Sequence, residues 1–221
     1  MFAKDIVSEI VPILKTSDTG IDALNLMDVF KVTHLPIVNN KIFLGLISDS
    51  DIYDLNTPEE PLGNHKLSLY KPFADENAHI YEVMEIASRL KLSVVPVLNS
   101  MEEYVGLITI PDLLHYFSGM SAVQNSGSII IIYTSKNDYS FAKIAQIIEE
   151  NDAKILSSYM YEDNISKVIE ITIKLDVQDI SAIEQSLERF NYQISTAFIR
   201  ESSDKEKIMK NFDSLMNYLK M

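Results

Sequence analysis

The stretch Gly45-Leu46-Ile47-Ser48-Asp49-Ser50-Asp51 returns about sixty residues later as Gly106-Leu107-Ile108-Thr109-Ile110-Pro111-Asp112. The match extends outward from both. Thr33-His34-Leu35-Pro36-Ile37-Val38 precedes the first copy and Ser93-Val94-Val95-Pro96-Val97-Leu98 the second, and a single inserted residue falls in the polar turn between. Further upstream, Ala23, Leu24, Met27 and Phe30 are answered by Val83, Met84, Ala87 and Leu90, spacings that put each set on one face of a helix. The short, mostly apolar strand runs suit strands covered on both faces. Two β-α-β-β-α units are predicted, over about residues 1–56 and 66–118 of a module spanning 1–120. One unit alone buries too little surface to be stable. A pair related by a pseudo-twofold solves that and leaves clefts between the copies.

The segment from Asn56 to Asn64 carries the turn residues of a connecting loop. A second small, polar break runs from Ser118 to Ser128, and the periodicity changes across it. Beyond it the pattern reads strand (Ile129–Tyr133), helix (Phe141, Ile144, Ala145, Ile148), strand (Ile155–Tyr161), strand (Val168–Ile173), helix (Ile180, Ile183, Leu187, Phe190) and strand (Gln193–Ile199). The order βαββαβ predicts a ferredoxin-like sandwich over 128–201, so the fold class is α+β. A last stripe, Ile208, Met209, Phe212, Leu215, Met216 and Leu219, predicts an amphipathic helix over 203–221 that packs on its own protein or on a dimer mate.

Composition narrows the function. The formal net charge is −13, which repels nucleic-acid backbones and anionic lipid, so neither nucleic acid nor membrane is an expected partner. With no cysteine, disulfide and thiolate chemistry are out, and the chain reads as cytoplasmic. His34, His65, His79 and His115 lack metal-ligand spacing, and no glycine-rich phosphate loop is present. An enzyme is not expected.

The two matched copies resemble the cystathionine-β-synthase-type (CBS) repeats that pair into a Bateman module. The family's ligand signature is Gly, two hydrophobic residues, Ser or Thr, two variable residues and Asp, and both copies have it. The resemblance implies that the carboxylate takes ribose hydroxyls and the hydroxyl supports phosphate or ribose. Ser48 and Asp51 then belong to one cleft, and Thr109 and Asp112 to the other, with His115 a helical turn beyond Asp112. The implied ligand is regulatory, AMP, ADP, ATP or S-adenosylmethionine, and no cofactor is required. Members that bind charged nucleotides often carry a basic residue just before the Asp, where this chain has Ser50 and Pro111. Because Asp49 adds a carboxylate beside Ser48, the Thr109/Asp112 cleft is the expected first choice. A plainer reading stands beside this one: Ser or Thr followed three residues later by Asp also caps a helix N-terminus.

In the second half, Asn137-Asp138-Tyr139-Ser140-Phe141 and the residues around it resemble an ACT-type regulatory domain. Tyr139 stands where that family has the glycine of its metabolite-binding turn, so dimerisation is expected there in place of amino-acid sensing. CBS repeats followed by an ACT-like domain resemble the acetoin-utilisation regulatory proteins of bacteria. The expected function is a ligand-responsive homodimeric regulator of an unknown target protein; the alternative is a dimerisation scaffold that has lost its ligand.

Overall fold

The computed structural model describes residues 1–200 except Ser68, Asn164 and Ser166, with the backbone alone at Gln193, Thr196, Ile199 and Arg200. The amphipathic stripe expected over 203–221 lies outside the described residues. The chain divides into two compact units, Met1–Tyr116 and Phe117–Met221.

The repeat appears as matched elements in chain order: α1 (Gly20–Phe30), β1 (His34–Asn39), β2 (Ile42–Ser48) and α2 (Asp49–Tyr53), then β3 (Ala74–Asp75), α3 (Ile80–Leu90), β4 (Val94–Leu98), β5 (Tyr104–Thr109) and α4 (Ile110–Met120), whose residues from Phe117 on fall in the second unit. In each copy the two longer strands form an antiparallel hairpin, with Pro36 opposite Leu46 and Pro96 opposite Leu107. The strand expected to lead each unit is vestigial. It is a single parallel bridge, Leu14 to Ile37, in the first copy, and the two residues of β3 beside β4 in the second. Even the helix ends repeat. Thr19 caps α1, its hydroxyl accepting from the Asp22 amide while Asp22 takes the Thr19 amide, and at α3 His79 Nδ1 accepts from the Tyr81 amide while Glu82 takes the His79 amide. Both helices end at a lysine in the left-handed region, Lys31 and Lys91, each at φ 54°. Leu35, Ile37 and Ile47 are buried in one copy, and Val94, Val95, Val97, Leu107 and Ile108 in the other. That explains why the strand runs lack polar alternation.

The copies also join each other. The Thr33 amide donates to Ser93 Oγ at 3.0 Å, tying together equivalent residues of the two repeats. At the far end of the hairpins the Tyr104 amide donates to the Lys41 carbonyl at 2.8 Å, and Phe43 stacks with Tyr104 at 6.5 Å between ring centres.

The second unit runs β6 (Gly127–Ser135), α5 (Phe141–Glu149), β7 (Ile155–Glu162), β8 (Val168–Leu175), α6 (Ser181–Arg189) and β9 (Gln193–Arg200). Its antiparallel sheet is ordered β7-β8-β6-β9, the ferredoxin-like arrangement expected of βαββαβ. Ile130, Ile132, Ile171 and Ile173 pack with Ile144, Ile148, Ile183 and Leu187 of the helices in one core. Tyr139 packs against that core, and no residue from Ser135 to Ser140 has a positive φ, so this turn does not require a glycine. The side chains of alternate residues emerge on the other face of the sheet, where Tyr133, Tyr159, Tyr161 and Phe198 are exposed. No described helix is long and apolar enough to cross a membrane.

Candidate functional site

Both signature motifs sit where a strand turns into a helix, and both form the capping arrangement. Ser48 donates its hydroxyl to Asp51 Oδ2 at 2.7 Å, the Asp51 amide donates to Ser48 Oγ at 3.1 Å, and the Ser48 amide donates to Oδ2 at 2.8 Å. Thr109 donates to Asp112 Oδ2 at 2.6 Å and accepts from the Asp112 amide at 3.2 Å. Capping therefore accounts for the spacing on its own. A ligand role has to be argued from what surrounds each motif.

What surrounds them is set by the motif glycines. Gly45 has φ +148°, and a Cβ there would stand 2.6 Å from Leu69 Cβ and 2.9 Å from the Tyr70 carbonyl oxygen. Without that Cβ, the inter-repeat segment crosses β2, and the Leu46 amide bonds to the Tyr70 carbonyl at 2.8 Å. The second copy is built alike: residues 7 and 8 cross β5 at Gly106, and Ser8 and Leu107 pair. Each crossing segment walls one cleft. The N-terminal stretch serves the second repeat, and the stretch before β3 serves the first.

The first cleft holds a cavity of about 200 Å³ lined by His34, Leu46, Ser48, Asp51, Tyr70, Pro72, Leu90 and Leu92. Tyr70, Pro72 and Leu90 also line an adjoining cavity of about 340 Å³, which adds Lys71, Phe73, Ile86 and Arg89. Arg89 Nε is engaged by Glu85 at 2.6 Å. His34 stands opposite Ser48 in the hairpin. Its Nδ1 accepts from the Ser93 amide at 3.4 Å and lies 3.0 Å from Thr33 Oγ1. A backbone amide can only donate, so Nδ1 carries a lone pair and the proton of the neutral ring is on Nε2. Burial holds this imidazole below its ordinary value, against the opposing pull of Asp49 and Asp51.

The second cleft, about 420 Å³, is lined by residues 5–10 with Asp112, His115 and Tyr116. Three of these are carboxylates, Asp5, Glu9 and Asp112, and no lysine or arginine is among the described lining residues. Thr109 is buried and does not line it. The structure thus places Ser48 with Asp51 on one cavity and Asp112 with His115 on another. No group of three or more His, Cys, Asp or Glu side chains that could hold a metal ion occurs among the described residues.

Residues 3–56 and 70–119 match the CBS domain family model. The chain carries two CBS domains in tandem. A curated inosine-5'-monophosphate dehydrogenase of Methanocaldococcus jannaschii is 22% identical over 150 residues, covering 66% of this chain, which in turn spans only 30% of that relative's length. Among solved structures, a CBS domain pair/ACT domain protein from Thermotoga maritima is 21% identical and covers 54% of this chain and 98% of its own, with a TM-score of 0.48. A putative acetoin utilization protein from Vibrio cholerae is 23% identical over 56% of this chain and 95% of its own, with a TM-score of 0.47. CBSX2, solved in complex with AMP, is 18% identical over 53% of this chain and 96% of its own, with a TM-score of 0.46.

Within the CBS pair, the motif reading found Ser48 and Asp51 but not their company. Tyr70, Pro72 and Lys71 belong to the inter-repeat segment, and Arg89, Leu90 and Leu92 belong to the other repeat. The available signal was Gly45: a glycine within a strand marks the close approach of another backbone.

Proposed function

We propose that this chain is a non-catalytic regulatory protein whose CBS pair senses an adenine nucleotide, held first in the Ser48/Asp51 cleft. One observation carries the reading. Hydroxyl, carboxylate, imidazole and phenol surround one cavity, and that cavity adjoins another lined by the cations Lys71 and Arg89. Asp51 Oδ2 is occupied by its cap, so Oδ1 takes the ribose diol. Leu46, Leu90 and Pro72 supply apolar walls for the base, and Lys71 and Arg89 offset phosphate charge. The cations stand in for the basic residue that Ser50 replaces in the motif. This order of the clefts reverses the one read from the motifs alone: neutral neighbours in sequence leave Asp112 beside Asp5 and Glu9 in space, which disfavours an anion. AMP, ADP and ATP suit the first cleft better than S-adenosylmethionine, whose sulfonium is itself a cation. In this reading the second unit is an ACT-like dimerisation domain, and the assembly is a homodimer.

Calorimetric titration tests it. Asp51→Ala and Asp112→Ala each remove the first-turn carboxylate that faces a capping hydroxyl and should lose similar stability, about 0.3–1 kcal/mol. Only Asp51→Ala should also weaken AMP binding, by roughly tenfold to a hundredfold through loss of charge-assisted bonds worth about 1.5–3 kcal/mol. Equal AMP affinity in both variants would exclude the Asp51 cleft. No heat and no melting shift with any adenine nucleotide would leave the scaffold reading.

A further inference from the structure

One corner of the second unit's sheet holds a buried cation. Ser157, Lys174 and Ile129 form one row across β7, β8 and β6, and Tyr159, Thr172 and Ile131 form the next. Their side chains point away from the helices, because Ile130, Ile171 and Ile173, which alternate with them, face the core. Tyr133 and Tyr161 on the same face are exposed, yet Lys174 and Thr172 are only 5% and 6% exposed. The end of α4 and the turn after it meet this corner, where Ser157 donates its hydroxyl to the Ser121 carbonyl at 2.7 Å. A cavity of about 320 Å³ is lined there by Phe117, Val123, Ile129 and Tyr159 together with Thr172 and Lys174, and by the two serines.

We infer that this cavity binds a small carboxylic acid with an apolar body and no amino group, its carboxylate set on Lys174. The volume lies at the lower end of the range for small-molecule sites, and Phe117, Val123, Ile129 and Tyr159 give the apolar body its contacts. Charge decides the other end. Burial strips the ammonium of water, a cost that an apolar residue in the same row would not carry, and a ligand anion offsets it through charge-assisted hydrogen bonds. An ammonium has three donors, so a carboxylate can share Lys174 with the group it already engages in the protein. Ser157 and Ser121 direct their hydroxyl protons to carbonyls, the latter to that of Phe117 at 2.6 Å, so the ligand's charge falls to Lys174. A single lysine suits a single negative charge. None of the described lining residues is acidic, so the ammonium of a free amino acid would meet Lys174 with no counter-charge beside it. The cavity opens near the start of β6, at the opposite end of that strand from the turn at 137–140, so Tyr139 does not obstruct it.

Calorimetric titration of the full chain with phenylpropanoate, phenylalanine and phenylpropanol tests this, since the three share one ring and chain and differ in charge. Phenylpropanoate should bind, and the other two should bind more weakly by roughly tenfold or more. Methyl NMR during the phenylpropanoate titration should shift Val123, Ile129 and Thr172. Lys174→Met keeps the apolar stem and drops the charge, and should weaken phenylpropanoate by roughly tenfold to a hundredfold. Thr172→Leu keeps the lysine and fills part of the cavity, and should weaken it by a similar factor. Melting curves establish that each variant is folded; should Lys174→Met fail to fold, the ligand series and Thr172→Leu decide alone. Four results would each overturn the proposal: no heat and no methyl shift with millimolar phenylpropanoate, equal affinity for phenylalanine, unchanged affinity in a folded Lys174→Met or Thr172→Leu variant, or methyl shifts confined to residues outside this cavity.

Discussion

His34 has no counterpart in the second repeat, where Val94 occupies the matching position, and it is the side chain that most distinguishes the two clefts. Its ring accepts from the Ser93 amide and is held below its ordinary value by burial. The sign of the consequence is fixed by which state binds the proton more readily. Between the ordinary imidazole value of about 6.5 and the lower folded value, the unfolded chain takes up the proton first, so stability present above that window is lost as pH falls through it. The wild type should therefore lose melting temperature more steeply than His34→Gln between about pH 7 and pH 5. The His34 ring signals in NMR should titrate with a midpoint below that of a free histidine. A midpoint above it would mean that Asp49 and Asp51 outweigh burial.

At the scale of elements, the motif glycines have different tolerances. The added Cβ of Gly45→Ala meets a backbone carbonyl and a Cβ, neither of which moves without shifting the whole crossing segment, and it also requires a positive φ. Gly45→Ala should cost about 1–3 kcal/mol and weaken nucleotide binding, because Tyr70 moves with the segment. The obstacle to Gly106→Ala is mainly a Val7 methyl. The double variant Gly106→Ala/Val7→Ala should regain much of the lost stability, measured by denaturant midpoint, whereas trimming Leu69 should not rescue Gly45→Ala. These elements also show what the sequence made legible. The hairpins, the helix starts and the βαββαβ order were readable because each is a local pattern of apolar spacing, caps and turns. The walls of the clefts were not. They are made by segments that pair across the repeat boundary, and the short bridges at Leu46–Tyr70 and Ser8–Leu107 leave no periodic trace. The pairing of Thr109 with Asp112 was readable, but the burial of Thr109 and the carboxylates of the N-terminal segment beside Asp112 were not.

For the whole molecule, the proposed homodimer predicts a sedimenting species of twice the 25.1 kDa chain mass at micromolar concentration, with or without AMP. A monomer under both conditions would refute it. An exposed Phe190 on the second unit and Tyr81 on the first give apolar surface available for such contacts. The crossing segments have a further consequence, which concerns synthesis. Ser8 pairs with Leu107, about a hundred residues further along the chain, and the Ala3 amide bonds to the Ala78 carbonyl. On the ribosome the first repeat acquires its wall as soon as Tyr70 emerges, while residues 2–10 must wait for β5. The Ser48/Asp51 cleft takes its last walls, Leu90 and Leu92, from the second repeat, whereas the other cleft waits for Asp112, His115 and Tyr116, so the first cleft has its full lining out of the ribosome while the second still lacks one side.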